Sequence, residues 1–191
     1  MISLPSPIQF AGNMKGVKIH DKDFIEYISS DKIQKRIGEM GREIQEDIGD
    51  LEPLFLGILN GCFRFSSDLL SYIDAPCEIN FLKVSSYSGT ETSGKVSELI
   101  GLNTSIENRH VVIIEDIVDT GNTLDFLIEK LRGENPASIR VTTLLYKPEP
   151  YHGKHKLDYV GFEIPNLFVV GYGLDYDGYG RNLNDIYQIK I

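Results

Sequence analysis

Apolar residues recur every three or four positions at Ile33, Ile37, Met40, Ile44 and Ile48, which predicts an amphipathic helix over 30–49. Ser30 or Asp31 is placed to cap its start and Gly49 to end it. The run 54–59, Leu-Phe-Leu-Gly-Ile-Leu, is apolar throughout and stops at Asn60-Gly61, so it reads as a buried strand closing on a tight turn. Phe65, Leu69, Leu70 and Ile73 mark a second amphipathic helix, and Ile79, Phe81 and Val84 a strand after it. His110 to Asp116 is apolar on both faces, as a central parallel strand requires. A helix begins near Asn122 with Leu124, Leu127, Ile128 and Leu131 on one side, and strands are predicted at 139–146, 159–164, 168–172 and 186–191.

Strand and helix alternate through the middle of the chain, which predicts an α/β fold: a mostly parallel, right-handed twisted sheet flanked by helices. The strand-rich last third predicts an additional antiparallel piece. Between these regions, Ser86 to about Ser105 is rich in Ser, Thr and Gly with little apolar periodicity. A stretch of that length without a regular element is a linker or a functional loop. The interdependence of the two halves favours a flexible loop, at 87–105.

The chain has 191 residues, of which 41% are hydrophobic and 25% charged, enough for one full core and a single domain spanning 1–191. With 19 Lys and Arg against 28 Asp and Glu, the net charge is −9. That balance argues against nucleic acid and anionic membrane as partners, since both need a broad basic face. A phosphate-bearing small molecule needs only a few local donors and stays open. Cys62 and Cys77 are too few for a disulfide framework and lack metal-ligand spacing, so both are expected as small buried hydrophobes in a reducing compartment. The opening residues show no cationic stretch followed by an apolar run, and no segment approaches the ~20 apolar residues of a membrane span. A cytoplasmic protein is expected.

The chemistry concentrates in Val111 to Leu124. Four apolar residues bury a strand, and Glu115 and Asp116 appear where it leaves the sheet, which is where open α/β sheets bind ligands. Asp119-Thr120-Gly121-Asn122-Thr123 then turns into a helix. Its backbone N–H groups, the two threonine hydroxyls and the helix N-terminus make a cradle for one phosphate, and Gly121 lets the backbone approach it closely. Neither a P-loop nor a G-x-G-x-x-G turn is present. Carboxylates beside a phosphate pocket suit ribose hydroxyls or a hard cation such as Mg²⁺.

This run resembles the phosphoribosyl pyrophosphate-binding signature of the type I purine phosphoribosyltransferase family. The likeness extends in order through Leu59-Asn60-Gly61, Ser86-Tyr87, Lys147, 158–165, Phe168 to Tyr176, and Arg181-Asn182-Leu183, covering about residues 50–187. It implies a parallel sheet under a small strand-containing hood lobe. It also implies transfer of the phosphoribosyl group of phosphoribosyl pyrophosphate to a 6-oxopurine, with Mg²⁺, in a homodimer or homotetramer.

The residue roles implied by the resemblance follow the same order. Glu115 and Asp116 hold the ribose hydroxyls, directly or through Mg²⁺. Asp119 is the general base at the purine, and Asp119 to Thr123 bind the 5′-phosphate. Lys147 donates to the purine 6-oxygen, an acceptor that adenine lacks. Phe168 stacks on the ring, Val169 reads its edge through the backbone, and Leu174 and Asp175 complete the purine site, with Asp175 also on a second Mg²⁺. Leu59, Asn60, Gly61, Ser86, Tyr87 and Arg181 bind pyrophosphate, the Leu59-Asn60 bond being cis. Asn60 departs from the Lys or Arg common in the family, and Arg64 is the nearby cation that would compensate. The loop after Tyr87 would close over the pyrophosphate and exclude water.

Other features read as scaffold. His152 and His155 sit in a polar loop and are expected to be solvated; Tyr172, Tyr176 and Tyr179 are expected to wall the base pocket or a subunit contact. Two alternatives remain at this level: a xanthine-preferring enzyme, and a non-catalytic sensor of phosphoribosyl pyrophosphate with the same fold.

Overall fold

The structure, a computed structural model, describes residues 8–11, 16–86 and 96–190. In chain order its elements are β1 (Ile8–Ala11), β2 (Gly16–Ile19), β3 (Lys22–Ile28), α1 (Ser30–Ile48), β4 (Leu54–Leu59), α2 (Phe63–Leu70) and β5 (Glu78–Ser86). There follow β6 (Val96–Ile100), β7 (His110–Val118), α3 (Asn122–Arg132), β8 (Ser138–Tyr146), β9 (Tyr159–Glu163), β10 (Val169–Val170) and β11 (Ile186–Ile189).

The main sheet has the order β6-β5-β4-β7-β8-β9, parallel except for β6 at one edge. Its two faces divide the apolar residues of neighbouring strands, as the period-two alternation demands. Phe55, Val112, Ile114 and Leu144 pack with α1 and α2, while Leu54, Leu56, Ile113 and Val141 pack with α3. The α2 and α3 crossovers each join parallel strands, so both loops that follow β4 and β7 open on the same end of the sheet.

Helix α1 buries Ile33, Ile37, Met40, Ile44 and Ile48, all at most 1% exposed. Its cap differs from expectation. Neither Ser30 nor Asp31 caps it; the cap residue is Ser29, without a side-chain bond, and the Ser30 N–H donates instead to Asp185 Oδ1 at 2.7 Å. A carboxylate from 155 positions away satisfies the helix end because β11 pairs with β3 just before it.

The antiparallel piece is a five-stranded hood of order β1-β2-β3-β11-β10. The apolar pattern identified only its C-terminal strands; three of the five come from the first 28 residues. The strand expected over 168–172 shortens to Val169–Val170, because Gly171, Tyr172 and Gly173 all take positive φ and turn the chain back. Hood residues Ile28, Val169, Tyr172, Leu174 and Ile186 share one cluster with Ile33, Ile37 and Phe65, so the two sheets are joined by a continuous core. Burial of each such side chain stabilises the fold by roughly 1.5–3 kcal/mol.

Two further expectations change. Part of the polar stretch 86–105 is strand: β6 pairs with β5, Val84 opposite Glu98 and Ser86 opposite Val96, while 87–95 lie outside the described residues. Cys62 is buried, but Cys77 is exposed in the turn before β5. Among the described residues, no helix is long and apolar enough to cross a membrane.

Candidate active site

The carboxyl ends of β4, β7 and β8 and the loop 171–181 of the hood converge on one cleft. Glu115, at the end of β7, is 7% exposed. Burial, reinforced by the charge of Asp116, holds its carboxyl well above the usual carboxylate range. Burial pushes Asp116 up to about 6; Asp175 acts in the same direction, and backbone N–H groups and Arg181 oppose it. Two adjacent acids raised in this way are ones whose charged forms a nearby cation or hydrogen-bond donor would favour.

The turn after β4 lies directly against this pair. The Leu59-Asn60 peptide bond is cis, as the resemblance implied. A Cβ added to Gly61 would fall 1.5 Å from Asp116 Oδ2, so only glycine admits the carboxylate there. A Cβ on Gly173 would meet the Gly61 carbonyl oxygen at 2.1 Å, which brings the hood loop onto the same turn. On that loop Arg181 pairs with Asp175 Oδ1 at 2.6 Å and donates to the Gly173 carbonyl at 2.7 Å.

Asp119, Thr120, Gly121 and Thr123 line a small cavity of about 110 Å³ together with Glu115 and Leu124. Gly121, at φ 87°, is the cap residue of α3, so Asp119 is not a helix cap. The first N–H groups of α3 have no carbonyl partners within their own helix, and that of Asn122 lies 3.5 Å from Thr120 Oγ1. The loop 150–155 supports this turn from behind. The His152 N–H donates to the Thr120 carbonyl at 3.2 Å, and His152 Nε2 lies 3.1 Å from Asn122 Oδ1. His152 is exposed as expected, whereas His155 is mostly buried, 3.8 Å from Asp125.

Lys147, 7% exposed at the end of β8, donates to Asp119 Oδ2 at 3.0 Å and lies 3.5 Å from Asn166 Oδ1. Phe168, despite its apolar neighbours in sequence, is 43% exposed. Its ring is flanked by Phe24 and by Tyr176, edge-on at 5.8 Å. Val169 and Leu174 are buried behind it. Of the three tyrosines, Tyr172 is buried and bonds to Asp68, Tyr176 bonds to Asp21, and Tyr179 packs on His20.

Ser86 ends β5, and Tyr87 lies outside the described residues. Arg64 does not replace the missing cation at Asn60. Its guanidinium donates to the carbonyls of Asn182 and Leu183 and to Asn184 Oδ1, and lies over the Tyr172 ring, so it fastens the hood loop instead. Asn166, Asp68 and the His20–Lys22 turn were not singled out from the sequence, because nothing local distinguishes them; only the fold brings them here.

Among the described residues, no group of three or more His, Cys, Asp or Glu side chains could hold a metal by itself. Glu115 and Asp116 are oxygen donors of the kind a hard cation such as Mg²⁺ takes, one or two carboxylates with water and substrate phosphates completing its shell. A larger cavity of about 270 Å³, between Leu82, Ile106, Leu127 and Leu131 with Thr104, Ser105, Lys130 and Glu134 at its walls, has no part in this cleft.

A strand ending in paired acids, a glycine turn opening a helix, and a hood presenting an aromatic ring thus meet at one cleft of an α/β fold. The phosphoribosyl transferase domain family model matches residues 26–177, and the chain belongs to that family. It is 45% identical over 164 residues to the hypoxanthine-guanine phosphoribosyltransferase of Bacillus subtilis, covering 85% of this chain and 91% of that protein. It is 44% identical over 166 residues to that of Mycobacterium tuberculosis, covering 83% and 82%. The structure of a hypoxanthine phosphoribosyltransferase from Staphylococcus aureus matches with a TM-score of 0.82 at 41% identity, over 86% of this chain and 90% of that one.

Proposed function

We propose that the chain is a hypoxanthine-guanine phosphoribosyltransferase. It would form the bond between C1 of the ribose and N9 of a 6-oxopurine as the C1–oxygen bond to pyrophosphate breaks. The observation that carries the reading is the Lys147–Asp119 pair at the edge of the phosphate turn. It offers one donor and one base to the same small ligand.

In this reading the turn Thr120 to Thr123 holds the 5′-phosphate through the N-terminus of α3, and Glu115 and Asp116 hold the ribose hydroxyls. The 59–61 turn, Ser86, Tyr87 and Arg181 hold the pyrophosphate. Lys147 donates to the 6-oxygen, Phe168 carries the ring face, and the Val169 backbone meets its edge, with Leu174 and Asp175 completing that wall. Asp119 takes or holds the proton that the purine loses. Glu115, Asp116 and Asp175 are the residues that would hold Mg²⁺, which would supply positive charge for an anionic pyrophosphate. Arg181, whose guanidinium is paired with Asp175, would donate to the pyrophosphate from the hood side.

The single domain, both thiols free, accords with a cytoplasmic enzyme. Phe63 on α2 and Ile79 and Phe81 on β5 are exposed apolar side chains that support a homodimer or homotetramer.

The test is incubation with Mg²⁺, phosphoribosyl pyrophosphate and hypoxanthine, guanine or xanthine in parallel. IMP and GMP with stoichiometric pyrophosphate are expected. A protein that binds phosphoribosyl pyrophosphate yet makes no nucleotide from any base is a sensor instead.

A further inference from the structure

The turn joining β2 to β3 lies before residue 26, outside the stretch that the family model matches. The fold nevertheless places it beside the exposed ring of Phe168. Tyr176 Oη donates to Asp21 Oδ1 at 2.8 Å. The His20 ring stands edge-on to Tyr179 at 4.8 Å and to Tyr176 at 5.7 Å. Tyr176 and Tyr179 exchange both backbone hydrogen bonds, so these contacts clasp one turn to the other. Lys22 completes the clasp: its Nζ lies 4.6 Å from the centre of the Tyr176 ring and 5.6 Å from that of Phe168.

The aromatic pair fixes where this ammonium sits. A cation over two ring faces is held in place by their quadrupoles, and the neighbouring Asp21 carboxylate, which feels its charge, is itself engaged by Tyr176 Oη, so the ammonium remains available to a third group nearby. Lys147, the other cation of this wall, is by contrast already paired with Asp119.

We infer that the β2–β3 turn is part of the base subsite and that Lys22 is a specificity-determining residue for the purine. This rests on the proposed function, in which the base lies against Phe168. An ammonium on a flexible four-carbon stem, 5.6 Å from that ring, reaches the edge of a base stacked there. It favours bases whose edge carries oxygen acceptors or negative charge, and it lowers the proton affinity of the base as its ring N–H is given up. The turn also props Tyr176, the neighbour of Asp175 and the edge-on support of Phe168.

The experiment compares the wild type with Lys22→Gln, Lys22→Ala and Lys22→Arg in steady-state kinetics, varying hypoxanthine and phosphoribosyl pyrophosphate separately. Gln keeps most of the stem and removes the charge, so it separates electrostatics from packing. Lys22→Gln and Lys22→Ala are expected to raise KM for hypoxanthine roughly three- to tenfold and leave KM for phosphoribosyl pyrophosphate within about twofold. Lys22→Arg is expected to restore the wild-type value. An unchanged base KM in Lys22→Gln, an equal rise for both substrates, or failure of Arg to restore it overturns the inference while the enzyme reading stands. A wild type that forms no nucleotide overturns the reading, and the inference with it.

Discussion

Lys147 and Asp119 form a 3.0 Å ion pair whose two ends are unequally wet: the lysine side chain is 9% exposed and the aspartate 44%. The pair spans the ends of two adjacent parallel strands, β8 and β7, and the Lys147 N–H donates to the Val118 carbonyl at 3.0 Å. Backbone pairing therefore brings the two side chains together before any ligand arrives. A purine entering between them would exchange each partner for a complementary atom of its own ring.

Replacing Asp119 separates its chemical and structural parts. Asp119→Asn removes basicity but keeps an oxygen for Lys147, so the rate of the chemical step should fall about 10²–10⁴-fold with little change in Tm. Asp119→Ala strands a mostly buried ammonium and should also cost about 1–3 kcal/mol of stability. Single-turnover kinetics beside thermal melts distinguish the two. A variant with near-normal chemistry and a lowered Tm would make Asp119 structural.

Lys147→Ala should behave in the opposite sense. The aspartate left behind is solvated, so stability should change little, whereas the loss of a charge-assisted bond of roughly 1.5–3 kcal/mol should raise KM for hypoxanthine about 10–100-fold. KM for phosphoribosyl pyrophosphate should move far less. Equal losses for both substrates would assign Lys147 to the pyrophosphate.

The elements read correctly from sequence are those whose burial is written locally. Val111 to Ile114 can only be a strand covered on both faces, and the five apolar residues of α1 fall on one stripe. The hood escaped because its strands are short and pair across the whole chain: β3 lies against β11, joining Glu26 to Tyr187. β6 hid within a Ser- and Thr-rich stretch because an edge strand needs little apolar character. The site divides along the same line. Asp119 to Thr123 form one contiguous turn and were legible; the Asp185 cap, the Arg64 anchor on residues 182–184 and the Lys22 clasp depend on long-range contacts that leave no local pattern.

Asp116 ties the site to pH. Its folded carboxyl titrates at about 6, against 3.8 for the ordinary group, so the folded protein holds this proton more tightly than the unfolded chain. Stability from this group is therefore highest at low pH and is lost as pH rises from about 4 to about 6; Glu115, also raised, acts in the same direction. Asp116→Asn should remove this penalty. Above pH 6 the variant should melt roughly 2–4 °C higher than the wild type, corresponding to on the order of 1 kcal/mol, with the difference vanishing near pH 4. Melts between pH 4 and 8 test this, and a variant less stable at every pH would show that Asp116 supports the fold.

Two glycines meet at one contact, and their substitutions should differ in kind. The Cβ of Gly61→Ala points at the tip of a side chain, Asp116 Oδ2, which can swing aside. The Cβ of Gly173→Ala points at a backbone oxygen, that of Gly61, from a residue at φ 105° where alanine is strained in any case. Gly173→Ala should therefore cost roughly 1–3 kcal/mol or more and lower Tm by several degrees. Gly61→Ala should fold with a smaller loss, yet bind phosphoribosyl pyrophosphate at least tenfold more weakly, because the displaced carboxylate no longer meets the ribose. A double-mutant cycle makes the distinction sharp: in an Asp116→Ala background the stability cost of Gly61→Ala should nearly disappear, whereas that of Gly173→Ala should persist. Additive costs for Gly61→Ala and Asp116→Ala would show that the 59–61 turn is constrained by its own backbone and not by the acid beneath it.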